Sequence, residues 1–254
     1  MQKITIITVA YNSIGTIQDT IESVLQQDYS NIEYIIVDGA STDGTIDLAK
    51  NYEDAFKLKG FDYNVYSEPD DGLYDAMNKG IEKSIGDVIG ILNSDDFYTS
   101  SDVISKVMTH MYDSSCETLI ANLEFISGED KHKVVRRWEV KKGDFSYGWM
   151  PPHPSTFIKK EIYDLYGVYN TSFEIAADYD LLFRFIKLKG VKCCFLNKSI
   201  IKMRTGGTST NGFLSYFKGN REVYQILKLY KQRFRMVTVT MKIIRKIPQL
   251  LKNT

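Results

Sequence analysis

A chain of 254 residues, 43% of them hydrophobic and 25% charged, can bury one large α/β core and is neither a disordered nor a collagen-like polymer. Its 32 basic and 32 acidic residues cancel, which argues against nucleic acid as a partner. The cancellation hides an asymmetry: residues 213–254 hold ten basic residues and a single acid, Glu222, and the rest of the chain holds the balancing acidic excess.

In chain order, residues 4–9 read as a buried strand, without the pattern of a signal peptide. Asn12 or Ser13 is placed to cap a helix whose Ile14, Ile17, Ile21, Val24 and Leu25 share one face. Residues 32–37 read as a second strand, followed by a polar turn and a helix through Ala49 and Phe56. Residues 63–67 form a third strand, 73–85 a helix, and 88–92 a fourth strand that ends in Asn93-Ser94-Asp95-Asp96. Strands alternating with helices imply a mostly parallel central sheet flanked by helices, with ligands bound beyond the carboxyl ends of the strands. The second half is less regular: strands at 118–125 and 133–138, a Pro-rich loop at 148–154, a helix at 177–188, strands at 191–196 and 200–203, then a Gly-rich loop and a basic helical tail. The expected division is a domain of residues 1–210, with halves 1–100 and 101–210, followed by a tail of 211–254. Cys116, Cys193 and Cys194 lack metal-binding spacing, and so sparse and odd a set fits a reducing compartment better than a disulfide framework. With no run of ~20 apolar residues, the expected location is the cytoplasm.

Two motifs carry chemistry. Asp95 and Asp96 directly follow a buried strand, where two carboxylates repel and lose hydration unless a cation sits beside them. Mg²⁺ or Mn²⁺ is held in this way, by one or two carboxylates together with phosphate oxygens. A helix cap formed by Asp96 or Ser101 is the plainer alternative. Asp38 ends the second strand before a turn in which Gly39 and Gly44 permit tight bends, and its carboxylate is placed to accept from a base or ribose. There is no Gly-x-Gly-x-x-Gly after the first strand and no phosphate loop ending in Gly-Lys-Ser/Thr.

Taken together, Thr8-Val9-Ala10-Tyr11-Asn12, Asp38-Gly39-Ala40-Ser41-Thr42-Asp43-Gly44-Thr45, the stretch 67–81 (Ser67-Glu68-Pro69-Asp70-Asp71-Gly72-Leu73-Tyr74-Asp75-Ala76-Met77-Asn78 and on), Gly90-Ile91-Leu92-Asn93-Ser94-Asp95-Asp96 and Ala177-Asp178-Tyr179-Asp180-Leu181 resemble family 2 glycosyltransferases of the GT-A fold. The resemblance is to the bacterial branch that assembles capsular or exopolysaccharides, of colanic-acid type, and spans about residues 3–210. It implies a metal-dependent inverting enzyme that moves a sugar from a nucleoside diphosphate, UDP by preference, onto a hydroxyl. Thr8, Ala10, Tyr11 and Asp38 would line the base pocket. Asp75 and Asn78 would hold ribose or donor sugar, Asp95 the ribose or donor, Asp96 the metal, and Asp178 would be the general base. Many relatives have a glutamate just before that base, where this chain has Ala177, which puts acceptor contacts in doubt more than the chemistry.

His153, between two prolines, is a candidate for the metal, the diphosphate or the acceptor. Gly207 and Ser209 belong to a loop placed to close over a diphosphate. Asp180 reads as structural, with Arg184 one turn on as its partner. Trp138, Tyr147 and Trp149 are stacking candidates for an acceptor sugar or core residues. Apolar positions among the tail's cations fit a helix lying on anionic lipid at the inner membrane face, which a lipid-linked acceptor would explain; packing on the domain or pairing of two subunits is the alternative. A sugar-nucleotide-binding protein or a nucleotidyltransferase of related fold is the competing function. The first would be expected to lose Asp178, and the second usually has a basic Gly-rich loop where Ala10-Tyr11-Asn12-Ser13 stand.

Overall fold

The computed structural model describes residues 1–128, 130–205 and 213–251. Its strands are β1 (Ile4–Ala10), β2 (Ile32–Asp38), β3 (Asp62–Ser67), β4 (Val88–Ile91), β5 (Phe97–Tyr98), β6 (Thr118–Ile126), β7 (Val134–Trp138), β8 (Thr156–Lys159) and β9 (Cys193–Arg204). They form one sheet in the order β3-β2-β1-β4-β8-β6-β9-β5, with β7 paired to β6. The first four strands are parallel. β8 enters antiparallel between β4 and β6, and β9 then runs parallel to β6. The helices are α1 (Ile17–Leu25), α2 (Thr45–Lys50), α3 (Glu53–Lys59), α4 (Leu73–Lys83), α5 (Val103–Ser114), α6 (Lys160–Tyr166), α7 (Ala177–Leu182), α8 (Phe213–Leu229) and α9 (Arg235–Leu251).

Every residue of β1 and β2 is buried, as continuous Ile/Val/Thr runs covered on both faces require. Alternation sends Ile4, Ile6, Tyr34 and Ile36 into a core with α1, α3 and α5. Ile7, Val9, Ile35 and Val37 enter a second core with α4, α6, α7 and α8. Each fully buried branched side chain contributes about 1.5–3 kcal/mol. Gly80 lets α4 lie close on β1: an added Cβ would collide with Cγ2 of Ile7 and stand 3.4 Å from Cγ2 of Val37. This close approach holds the start of α4 at the carboxyl edge of the sheet.

Several expectations are corrected. α1 starts at Ile17, and neither Asn12 nor Ser13 caps it. The Asn12 Oδ1 accepts from the Thr42 amide at 2.9 Å, and the Ser13 amide donates to Thr45 Oγ1 at 2.8 Å. These polar groups join the loops after β1 and β2, whose backbone donors would otherwise lack partners. The helix expected through Ala49 and Phe56 is two short helices, α2 and α3. The two late strands are one, β9, bent by register shifts opposite Asn122. β5, β8 and α6 had no reading in the sequence, and the helix from Ala177 changes to π-helical at Phe183–Leu188. Cys116 and Cys194 form a disulfide, where the sparse cysteine count pointed to none.

The tail is two helices. α8 buries Val223, Ile226 and Leu227 in the second core. α9 crosses the 3-10 turn Phe145–Tyr147, where Thr238 Oγ1 donates to the Ser146 carbonyl at 3.0 Å. Gly148 permits that crossing: its φ is +72°, and a Cβ would strike the backbone of Met241 and Lys242. Among the described residues no helix is long and apolar enough to cross a membrane. Gly148→Ala is expected to cost about 1–3 kcal/mol, from the left-handed backbone and the collision with α9. A lowered melting temperature together with faster protease cleavage around α9 checks this; an unchanged α9 would contradict the packing.

Candidate active site

The carboxyl edge of β1, β2 and β4 carries the polar motifs. Asp38, buried at the end of β2, accepts from the Ser41 amide at 3.0 Å and from the hydroxyls of Ser41 and Ser67 at 2.5 and 2.7 Å. Its carboxylate is therefore rigidly held. The Gly39 amide donates to the Ala10 carbonyl at 2.9 Å, which extends the β1–β2 pairing one residue further. A Cβ on Gly39 would collide with the Asp70 carboxylate and stand 3.4 Å from the Tyr11 ring. Tyr11, 67% exposed, thus presents its ring beside Gly39 and Asp70, a notch open to a flat base. Asp70 was not singled out in the sequence, although it lies within a quoted motif. Thr8 does not line this notch: its side chain is buried and its hydroxyl accepts from Tyr34 at 3.0 Å, because even-numbered β1 residues face the α1 side of the sheet.

The α4 candidates have other work. Asp75 accepts from the Asp71 amide at 3.1 Å and pairs with Lys79 at 3.2 Å. The amide bond, and then Lys79, hold its carboxyl below the usual carboxylate range. Asn78 spends both ends of its amide on the Tyr169 backbone: Nδ2 donates to the carbonyl and Oδ1 accepts from the amide, each at 2.9 Å. Asn78 therefore ties α4 to the segment ahead of α7.

Asp96 has no exposure, and its Oδ1 has no partner among the described residues. Oδ2 receives only a long bond from Asn93 Nδ2, at 3.3 Å. Burial, and then the Asp95 charge, push its carboxyl well above the usual range, and burial raises Asp95 as well. The Asn93 Oδ1 is likewise buried without a partner. Thr20 of α1 donates to the Asp96 carbonyl at 2.7 Å, and Arg204, at the end of β9, donates to the Asp95 carbonyl at 2.8 Å and pairs with Asp19. The motif's backbone is thus fixed while Asn93 Oδ1 and Asp96 Oδ1 stay without a partner among the described residues. Unpartnered hard oxygens beside two carboxylates fit Mg²⁺ or Mn²⁺. Among the described residues no three His, Cys, Asp or Glu side chains gather as a metal cage, so phosphate and water would complete the shell.

Asn93 also lines a cleft of about 630 Å³, together with Tyr74, Trp138, Trp149, His153 and Asp178. Asp178 stands on the first turn of α7, half-buried, its Oδ1 accepting from the Tyr179 amide at 2.7 Å. His153 is buried with Nε2 2.5 Å from the Tyr169 hydroxyl. Burial lowers its pKa while Asp178 opposes the shift, so the ring sits in the cleft as a neutral group at physiological pH. Asp180 is structural, as expected, with Arg184 Nε at 3.2 Å and the Tyr230 hydroxyl at 2.9 Å. Trp138 and Trp149 face the cleft. Gly207 and Ser209 lie outside the described residues. Glu222 of α8, unnoticed in the sequence except as the tail's one acid, accepts from the amides of Glu174, Ile175 and Ala176 at 3.3, 2.9 and 2.8 Å.

Comparison with known proteins agrees with this geometry. The family model described as glycosyl transferase family 2 matches residues 5–174. An uncharacterized glycosyltransferase of Mycobacterium tuberculosis is 30% identical over 185 residues, covering 71% of this chain and 68% of that one. TuaG of Bacillus subtilis, named for teichuronic acid biosynthesis, is 38% identical over 113 residues, 44% of this chain and 43% of that one. Among solved structures, S. aureus TarS 1-349 in complex with UDP-GlcNAc superposes with a TM-score of 0.69 at 15% identity, over 97% of this chain and 73% of that one. The mannosyltransferase PcManGT from Pyrobaculum calidifontis, in complex with GDP-Man and Mn²⁺, gives 0.70 at 16%, over 97% and 70%. These two likenesses speak for the GT-A fold. With the family model spanning most of the chain and its motifs at the carboxyl edge of a GT-A sheet, the protein belongs to glycosyl transferase family 2 and is a glycosyltransferase.

Proposed function

We propose that the protein transfers a sugar, with inversion, from a nucleoside diphosphate, UDP by preference, to a hydroxyl of a lipid-linked saccharide in surface-polysaccharide assembly. One observation carries the reading: the buried Asp96 carboxylate, whose Oδ1 has no partner among the described residues, is joined through Asn93 to the cleft that holds Asp178. Tyr11, Gly39 and Asp38 border the base site. Asp95 and Asp96 would hold a divalent metal, which supplies charge stabilisation to the departing diphosphate. Asp178 accepts the acceptor's proton as the hydroxyl oxygen bonds to the anomeric carbon and the diphosphate leaves with the electron pair. His153, held by Tyr169, orients the acceptor or the diphosphate. The UDP-GlcNAc and the GDP-Man with Mn²⁺ bound in the two solved structures support a metal and a nucleotide-sugar donor; the B. subtilis relative supports surface-polysaccharide work.

The acceptor reading rests on the cleft's other walls. Arg136 lies 3.7 Å over the Phe125 ring, and Trp138 stacks near it. Lys141, Lys142, Lys242 and Arg245 line the same cleft. Aromatic faces with several cations fit a sugar carried on a phosphate ester. Exposed Phe234, Met236, Val237 and Ile244, with Arg235 and Arg245 nearby in the chain, support a peripheral membrane face on α9, since α8 spends its apolar side on the domain.

Screening nucleotide sugars by thermal shift with Mn²⁺ is expected to find a UDP-sugar that stabilises the protein in a metal-dependent way. Asp96→Asn should lose the metal-dependent part; a full shift in that variant would refute the metal assignment. Asp178→Asn should keep donor stabilisation and lose transfer by about 10²–10⁴-fold; wild-type transfer rates would sink its role as base.

A further inference from the structure

The tail's single acid is buried against the active centre, where a carboxylate needs a reason to be. Glu222 is 6% exposed, and its two oxygens receive the three consecutive amides of residues 174–176. Those amides precede α7, whose first turn holds Asp178 and whose leading N–H groups have no partner within the helix. The same loop is held from the opposite side by Tyr74 of α4, whose hydroxyl donates to the Ile175 carbonyl at 2.9 Å. Tyr74 in turn stacks on Tyr169 with ring centroids 5.4 Å apart, and Tyr169 holds His153. α8 reaches the loop closely because residue 219, one turn before Glu222, is glycine: a Cβ there would stand 3.1 Å from Cγ2 of Ile175. Lys218 pairs with Glu174 beside it.

Resting on Asp178 as the base, we infer that Glu222 is a positioning residue for catalysis: its carboxylate fixes residues 174–176 and thereby aims Asp178 into the cleft. The C-terminal helices therefore complete the active centre, whatever surface α9 meets. A carboxylate suits the task because it only accepts hydrogen bonds and has room for three. A glutamine would turn an NH₂ toward one or more of the same donors. Misplacing a reacting group by a fraction of an ångström lowers turnover without altering a donor site built elsewhere.

The test compares wild type, Glu222→Gln, Gly219→Ala and Asp178→Asn in the full-length protein, with kcat, donor KM, UDP-induced thermal shift and melting temperature measured for each. Glu222→Gln is expected to lower kcat about 10–100-fold with donor KM and the UDP shift unchanged. Gly219→Ala, which favours helix formation in α8, should lower kcat several-fold without lowering the melting temperature, by moving Ile175. If Glu222 acts through the base, adding Glu222→Gln to Asp178→Asn should cost little more. Unchanged kcat in Glu222→Gln would overturn the inference. So would a loss repeated in full on the Asp178→Asn background, or one that appears equally in donor KM. Wild-type transfer by Asp178→Asn would instead overturn the base assignment beneath it.

Discussion

A carboxylate kept from water with an oxygen unpaired costs on the order of 1–3 kcal/mol, and more if it is charged. Asp96 is such a group, with Asp95 beside it, and much of the surrounding structure serves to hold it there. Thr20 takes its carbonyl, Arg204 takes that of Asp95, and α1 and the end of β9 are thereby fixed to the end of β4. Such backbone restraint around a side chain with an unpartnered oxygen is the observation from which the metal proposal starts. In the proposed function a cation and the diphosphate it accompanies would offset the cost, which is the reason for placing the donor site at this edge of the sheet.

The second requirement of the proposed mechanism is a base brought to that edge from a distant part of the chain. In the proposed reading the carboxyl ends of the first four strands are taken up by the nucleotide. Asp178 comes instead from a helix beyond β8, and its loop is tied back by groups from both sides. Asn78 grips the Tyr169 backbone, Tyr74 grips Ile175, and Glu222 takes three amides. These are polar bonds across elements separated by tens of residues, made where the apolar second core already brings the elements together. Packing brings α4, α7 and α8 into register; the hydrogen bonds set the angle of the base.

The strands β1, β2 and β4 were legible because their apolar runs are continuous and punctuated by Gly and Asp. The acidic pair stood out as two carboxylates directly after a buried strand, although a helix cap explained it as well. What the sequence concealed followed a pattern. Thr8 sits in a family motif, but its place on the strand turns its hydroxyl to Tyr34. Asn78 lies on the expected helix, yet its amide is spent on Tyr169, a partner 91 positions away. β8 is four residues long and antiparallel among parallel neighbours, too short for periodicity to register. Glu222 stood out as the one acid in a basic tail, but only the tertiary contact shows what it accepts from. Local pattern reports which elements exist; it does not report which distant amide a side chain will meet.

The proposed mechanism uses one carboxylate base, Asp178, and needs no covalent sugar–enzyme intermediate. The stereochemistry of transfer tests this most directly. Proton NMR of the first-formed product should show the anomeric centre inverted relative to the nucleotide sugar. A product that retains the donor's configuration would contradict the single-displacement role given to Asp178.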